Sequence, residues 1–289
     1  MPILSKNVIQ IMLLIAALCV LTACTTNKAT GRSQFNAISP EQEQALGNKA
    51  APEFLQEFGG PIPSQHIQTY VSDLGHKLAA VSENPELEWE FKVANSEVIN
   101  AFALPGGKVF VTRGLLSKLD NEAQLAGILG HEVGHVTARH INDRILQSQI
   151  VTGLGIGIAI AGEAADEDWL KALGIGTSVG GGVALLAFSR NHELESDRLG
   201  LRYMTKLGYN PEAQVQVMEI FKREEAGGGS IEFLSTHPVP ETRIKELQAY
   251  IQKKYPDYNQ TGRYRFDAES YKTNVLDELA KLPPIKKKQ

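Results

Sequence analysis

The hydrophobic positions of the chain fall into stretches of different period. From Ile9 to Val20 they run almost without interruption. The stretch after Ser39 reads as a helix. Ser39-Pro40-Glu41-Gln42 supplies a cap, a proline suited to the first helical position and a capping-box glutamine, and Gly59-Gly60-Pro61 ends the run after Phe58. A second helix is predicted from Ser64 to about Val81, because Ile67, Tyr70, Val71, Leu74 and Leu78 form one stripe. The period then changes. Leu87, Trp89, Phe91 and Val93 alternate with Glu88, Glu90 and Lys92, which predicts a half-buried strand. Val98 to Leu104 and Lys108 to Thr112 read as two further strands around the turn Pro105-Gly106-Gly107. From about Leu115 onward the chain reads as mainly helical. Asn121-Glu122-Ala123-Gln124 opens one helix, and Asn210-Pro211 and Val239-Pro240 start two later ones. The pattern predicts an α+β fold, a small sheet beside a mainly helical body, with no repeat at solenoid spacing.

Some stretches carry no such pattern. Residues 25 to 38 are polar and aperiodic and read as a tether between Cys24 and a domain spanning 39–260, with 261–289 as a tail ending in Lys286-Lys287-Lys288. Ile150 to Gly162 is uncharged and contains four glycines; the acidic Glu163, Asp166, Glu167 and Asp168 follow, then a second glycine-rich apolar stretch to Phe188. Neither stretch reaches the roughly 20 apolar residues of a membrane-spanning helix. A buried helical hairpin, a flap over the active site and a membrane-touching surface all remain open readings for it.

Composition narrows the class. With 289 residues, 43% hydrophobic, 21% charged and a net charge of −4, the chain has length for about one ordinary domain and no basic stripe, so nucleic acid is not an expected partner. Lys6, the apolar run and the small residues that follow it describe an export signal. Leu21-Thr22-Ala23-Cys24 resembles the lipobox of bacterial lipoproteins. That resemblance implies removal of residues 1–23, acylation of Cys24 and a lipid anchor in the membrane. Thr25 in place of aspartate suggests the periplasmic face of the outer membrane. Cys19 leaves with the signal, so the mature domain has no pair of thiols for a disulfide, and any metal site must be built from histidines and carboxylates.

The predicted helix after Asn121 carries His131-Glu132-Val133-Gly134-His135. Histidines four residues apart lie about 40° apart around a helix, so both rings can reach one ion. Glu132 lies about 100° round from His131, placed to take a proton from an attacking water and not to bind the ion. These are the requirements of zinc-assisted peptide hydrolysis. A metzincin-type third histidine is excluded, because Ala138 and Ile141 stand where glycine and histidine would be needed and His140 is one residue out of register. The other common solution is a downstream glutamate. In Asn191-His192-Glu193-Leu194-Glu195-Ser196-Asp197, Glu193 and Asp197 share a helical face, one able to bind zinc and the other to orient a ligand histidine. Glu195 points to the opposite side, solvated or paired. His66, His76, His140 and His192 have no partner at ligand spacing and are expected as surface or packing residues.

Taken together these residues resemble the zinc peptidases that include the HtpX-like and CAAX prenyl proteases and the periplasmic beta-barrel assembly-enhancing protease. Four segments match in order: Asn100 to Gly107, His131 to His135, Glu193 to Asp197, and Ser235-Thr236-His237-Pro238 with Arg243. The match covers roughly residues 40 to 250. It implies a zincin-like fold with one zinc ion, Glu193 as third ligand and Asp197 behind it. His237 would lie near the metal, either steadying the oxyanion or filling the open position at rest, with Arg243 supporting it. The strand Asn100, Ala101, Phe102, Ala103 would hold an extended substrate by strand addition, the bland alternative being a plain sheet edge. The implied activity is endopeptidase cleavage of unfolded or misfolded envelope proteins in quality control. Two departures stand out: no span of credible length flanks the motif, and only about forty residues follow the last one, where the assembly-enhancing protease carries a helical repeat domain. The rival reading is a chaperone-like lipoprotein with a structural or regulatory zinc. Glu132 argues against it, since a structural site has no use for an acid there.

Overall fold

A computed structural model describes residues 24–36, 38–152, 188–227, 231–238 and 241–285. The expected signal peptide, the lysine triplet, Val239-Pro240 and nearly all of the glycine-rich 150–188 segment lie outside the described residues.

The described chain is mainly helical with two small sheets, the α+β arrangement that the hydrophobic pattern predicts. Helix α1 (Pro40–Glu57) starts at Ser39, whose side chain and that of Gln42 close a reciprocal capping box. Helix α2 (Gln65–Ala80) is capped by Ser64 and buries Ile67, Val71, Leu74 and Leu78 on one stripe. Strands β3 (Glu90–Ala94), β4 (Ala101–Leu104) and β5 (Lys108–Thr112) form a sheet in the order β3-β5-β4. β5 lies in the middle, parallel to β3 and antiparallel to β4, with Phe102 opposite Phe110. All five β5 residues are buried, as a central strand covered on both faces requires. β4 is therefore an edge strand. β5 has its predicted bounds, whereas β3 and β4 begin later than the pattern suggests, at Glu90 and Ala101, and leave Leu87 and Val98 outside the strands.

The short helix α3 (Arg113–Leu116) leads to α4 (Glu122–Thr137), which Asn121 caps through its side chain. α4 is buried from Ala123 to Thr137. α5 (His140–Thr152), α6 (Arg190–Lys206), α7 (Glu212–Ala226), α8 (Glu232–Thr236) and α9 (Glu241–Lys254) surround it. None of the helices among the described residues is long and apolar enough to cross a membrane.

Two segments differ from their sequence reading. Within the stretch 25–38, expected as a tether, the chain forms a hairpin of β1 (Cys24–Thr26) and β2 (Ser33–Phe35) seated on the end of α4. Its buried Asn27 and Gln34 donate to the carbonyls of Thr137 and Ala138 at 2.9 and 2.6 Å. Side chain to backbone bonds carry no hydrophobic period, which is why the segment reads as a linker. The supposed tail from residue 261 also packs on the domain. Tyr271, Val275 and Leu279 are buried in the main core, and the Tyr271 hydroxyl donates to the Leu116 carbonyl at 2.7 Å. Their four-residue spacing is a helical stripe.

Candidate active site

The site depends on how closely α4 and α6 approach. A Cβ on Gly200 would lie 2.9 Å from the His131 nitrogen, and one on Gly134 would lie 2.9 Å from Ser196 Oγ. Small residues at this crossing let two backbones nearly touch, and Ser196 Oγ donates to the His131 carbonyl at 2.8 Å. The crossing sets His131 and His135 of α4 directly beside Glu193 and Asp197 of α6. His237 enters from the C-terminal end of α8, and Arg243 from the first turn of α9.

Four donors converge. His135 Nε2 is 3.0 Å from His131 Nε2, which is 3.3 Å from His237 Nδ1. Glu193 Oε1 lies 3.0 Å from His237 Nδ1 and 3.3 Å from His135 Nε2, and Glu193 Oε2 lies 3.5 Å from His131 Nε2. All four residues are buried. Ligand bonds of about 2.0–2.1 Å in a tetrahedron place donor atoms about 3.3 Å apart, so this set has the size that a four-coordinate ion needs.

The charges around the cluster favour a cation. Burial works against a charged His131, but the carboxylates of Asp197 and Glu193 outweigh it and raise the ring to about 9. A field that holds a proton there also holds a divalent ion. Burial likewise opposes ionisation of Glu193, yet His237, Arg243 and the two α4 histidines hold its carboxyl well below the usual range. His135 is shifted the other way, because burial and the neighbouring His131 and His140 outweigh Glu193. Arg243 ties the acids together. Its Nε and Nη2 donate to the two oxygens of Asp197 at 2.7 Å each, and its Nη1 lies 2.5 Å from Glu193 Oε2. Asp197 Oδ1 in turn accepts from His131 Nδ1 at 2.9 Å and from Gln214 at 3.0 Å.

Glu132 is fully buried; neither of its carboxylate oxygens makes a full hydrogen bond, and Oε1 lies 3.7 Å from His237 Nε2. A buried carboxylate so short of hydrogen bonds is costly, and burial raises its pKa despite the nearby His237 and His131. Its surroundings include the backbone of Ala103 on β4. The edge strand therefore runs past the acid. Asn100 is committed to β5, because its carbonyl accepts from the Thr112 amide and its amide donates to Thr112 Oγ1. Ala101, Phe102 and Ala103 form the β4 segment proper. Phe188 and Phe233 wall the cluster, Phe188 with its ring 3.9 Å from that of His135 and Phe233 stacked on His237 at 4.3 Å.

Every sequence-selected residue from His131 to Arg243 thus falls in one cluster, while Cys24 lies far along the chain in β1. His140 and His192, expected as surface or packing residues, are both buried, and His140 packs against a donor histidine. His140 is fully buried, with Nδ1 2.9 Å from His135 Nδ1 and Nε2 2.9 Å from Glu195, and His192 stacks on it at 4.4 Å. Helical spacing could not find it, because Arg139 leaves the helix with φ +57° and swings His140 back onto His135. Gln214 was missed for lack of any local signal.

The model for peptidase family M48 matches residues 65–251, which holds every one of these cluster residues. The chain belongs to that family. It is 33% identical over 225 residues to the mitochondrial metalloendopeptidase OMA1 of Schizosaccharomyces pombe, an alignment covering 77% of this chain and 65% of that one. It is 28% identical over 271 residues to the beta-barrel assembly-enhancing protease of Yersinia pestis and 27% to that of Escherichia coli K12, covering 87% of this chain and 55% of each. The chain spans less than two thirds of the length of these relatives. What the M48 family contributes to this chain is a metallopeptidase domain, and its buried histidine and glutamate cluster suits a metal.

Proposed function

We propose that this protein is a zinc-dependent endopeptidase of the bacterial cell envelope. His131, His135 and Glu193 hold the zinc, Glu132 is the general base, and Asp197 and Arg243 hold His131 and Glu193 in place. The observation that carries this reading is the buried Glu132 carboxylate, without a full hydrogen bond beside four converging metal donors. When bound, zinc supplies a Lewis acid that polarises the scissile carbonyl and acidifies the attacking water. Glu132 takes the proton of that water and passes it to the leaving amine, a role its raised pKa suits. The Ala101–Ala103 edge of β4 aligns an extended peptide next to Glu132 by strand addition, which selects unfolded segments over folded ones. Unfolded or misfolded envelope proteins are the substrates we infer, with acylated Cys24 as the anchor at the periplasmic face of the outer membrane. The lipobox-like residues support that placement, as does the likeness to a beta-barrel assembly-enhancing protease.

A second feature favours a resting state that is closed. His237 lies 3.0 Å from Glu193 Oε1 and 3.3 Å from His131 Nε2, a distance suited to a fourth ligand. The decisive experiment is hydrolysis of an unfolded protein by the purified chain without residues 1–23. Activity should need zinc, vanish with chelator and vanish in Glu132→Gln. Full activity in Glu132→Gln would overturn the mechanism, and a Glu132→Gln chain that still meets the cell's need would favour a chaperone role.

A further inference from the structure

The run Glu193-Leu194-Glu195-Ser196-Asp197 places three carboxylates within five residues of α6. Glu193 faces the donor cluster and Asp197 accepts a hydrogen bond from His131 Nδ1. Glu195 serves neither function. Its Oε2 accepts instead from His140 Nε2 at 2.9 Å, and the same oxygen accepts from Arg32 Nη2 at 3.3 Å. Arg32 comes from the β1–β2 hairpin and is fixed through Nη1 to Asp143 at 2.8 Å.

The direction of each bond follows from chemistry. A carboxylate only accepts, so His140 Nε2 must donate. A neutral ring that donates from Nε2 carries its lone pair on Nδ1, and the 2.9 Å contact between the two Nδ1 atoms is then an N–H of His135 donating to His140. His135 is left with its lone pair on Nε2, the atom that faces His131 and Glu193. The ring of His140 is also clamped, with His192 stacked on one face. The arrangement repeats the Asp197–His131 contact with one imidazole inserted between carboxylate and ligand.

We propose that His140, oriented by Glu195 and Arg32, is a positioning residue that fixes the tautomer and ring plane of His135 for the metal. The proposal rests on the reading that the cluster binds zinc. It also gives the N-terminal hairpin a part in the site, since Arg32 anchors the outer end of the chain of contacts.

The test compares zinc affinity, measured by competition with a chromophoric chelator, for the full chain and for His140→Phe and His140→Gln. Phenylalanine keeps the ring but leaves the His135 N–H buried without an acceptor. Loss of such an outer contact typically costs about 10–100-fold in metal affinity, and that is the expected drop for His140→Phe. Glutamine can accept from His135 and donate to Glu195, so His140→Gln should recover most of it. Nitrogen-15 spectra of the zinc-loaded wild-type protein should show His140 protonated on Nε2. Wild-type affinity in His140→Phe, an equal loss in both variants, or His140 protonated on Nδ1 would each overturn the proposal. If His140→Phe does not fold, the tautomer in the wild-type spectra decides alone. Wild-type protein that binds no zinc would instead overturn the reading of the cluster itself.

Discussion

The Arg243 guanidinium grips both oxygens of Asp197 at 2.7 Å while its remaining nitrogen lies 2.5 Å from Glu193. One buried cation thus neutralises the acid that orients His131 and touches the acid that completes the donor set. Removing it leaves two buried carboxylates without the cation they share. Breaking a buried pair from one side typically costs about 3–5 kcal/mol. Arg243→Ala should therefore lower unfolding free energy by about that amount and weaken zinc binding as well, both read by denaturant unfolding with and without metal. Arg243→Lys keeps the charge but not the two-pronged grip, and should fall between.

The α4–α6 crossing gives a second prediction. Gly200→Ala would press a methyl to 2.9 Å from the His131 nitrogen and 3.1 Å from the Gly130 carbonyl carbon, both of them backbone atoms that have little room to give. The helices must part, at a cost of about 1–3 kcal/mol for overpacking. Because the same crossing sets His131 against Glu193, metal affinity should fall together with the thermal midpoint. An unchanged metal affinity in the Gly200→Ala variant would show that the ligand geometry does not depend on this contact.

These two sites also show what the sequence discloses. The capping box at Ser39 and the stripe of α2 follow from local patterns that tertiary packing did not override. His131, His135, Glu193 and Asp197 were legible because a helix converts spacing into direction. His140 was not, since a single left-handed residue at Arg139 breaks that conversion. Asn27 and Gln34 were hidden for another reason, as they bond to backbone carbonyls a hundred residues away, which no local pattern records. Tyr271, Val275 and Leu279 did carry a period, in a short stretch that its terminal position made easy to read as a tail.

A third prediction concerns alkaline stability. Tyr70 and Tyr209 both donate to Glu122 at the start of α4, and the Tyr271 hydroxyl donates to Leu116. Burial raises all three phenols above their ordinary range, and Glu122 adds to the effect for the first two. Folding thus favours the protonated phenol. The folded protein holds more protons than the unfolded chain once the pH passes the ordinary tyrosine value near 10, so stability is full below about 10 and falls above it. Tyrosinate absorbance should rise together with loss of helical circular dichroism, and not ahead of it. Tyr70→Phe should make the fall with pH less steep. Free ionisation of these tyrosines in a fully helical protein would contradict the argument.

The last prediction separates two roles for His237. Its ring stacks on Phe233 at 4.3 Å and its Nδ1 sits among the other donors, 3.0 Å from Glu193 and 3.3 Å from His131. If His237 completes the coordination at rest, His237→Ala opens a position for water and substrate, and basal hydrolysis of an unfolded protein should rise. A tenfold rise would correspond to about 1.4 kcal/mol of preference for the closed state. If His237 instead steadies the oxyanion, its loss should lower kcat by about 10²–10³ with little change in KM. Zinc competition adds an independent reading, since removal of a fourth ligand weakens metal binding while removal of an oxyanion donor does not. The geometry predicts the first pair of results, a higher basal rate with a lower zinc affinity. A lower kcat at unchanged zinc affinity would assign His237 to the transition state instead.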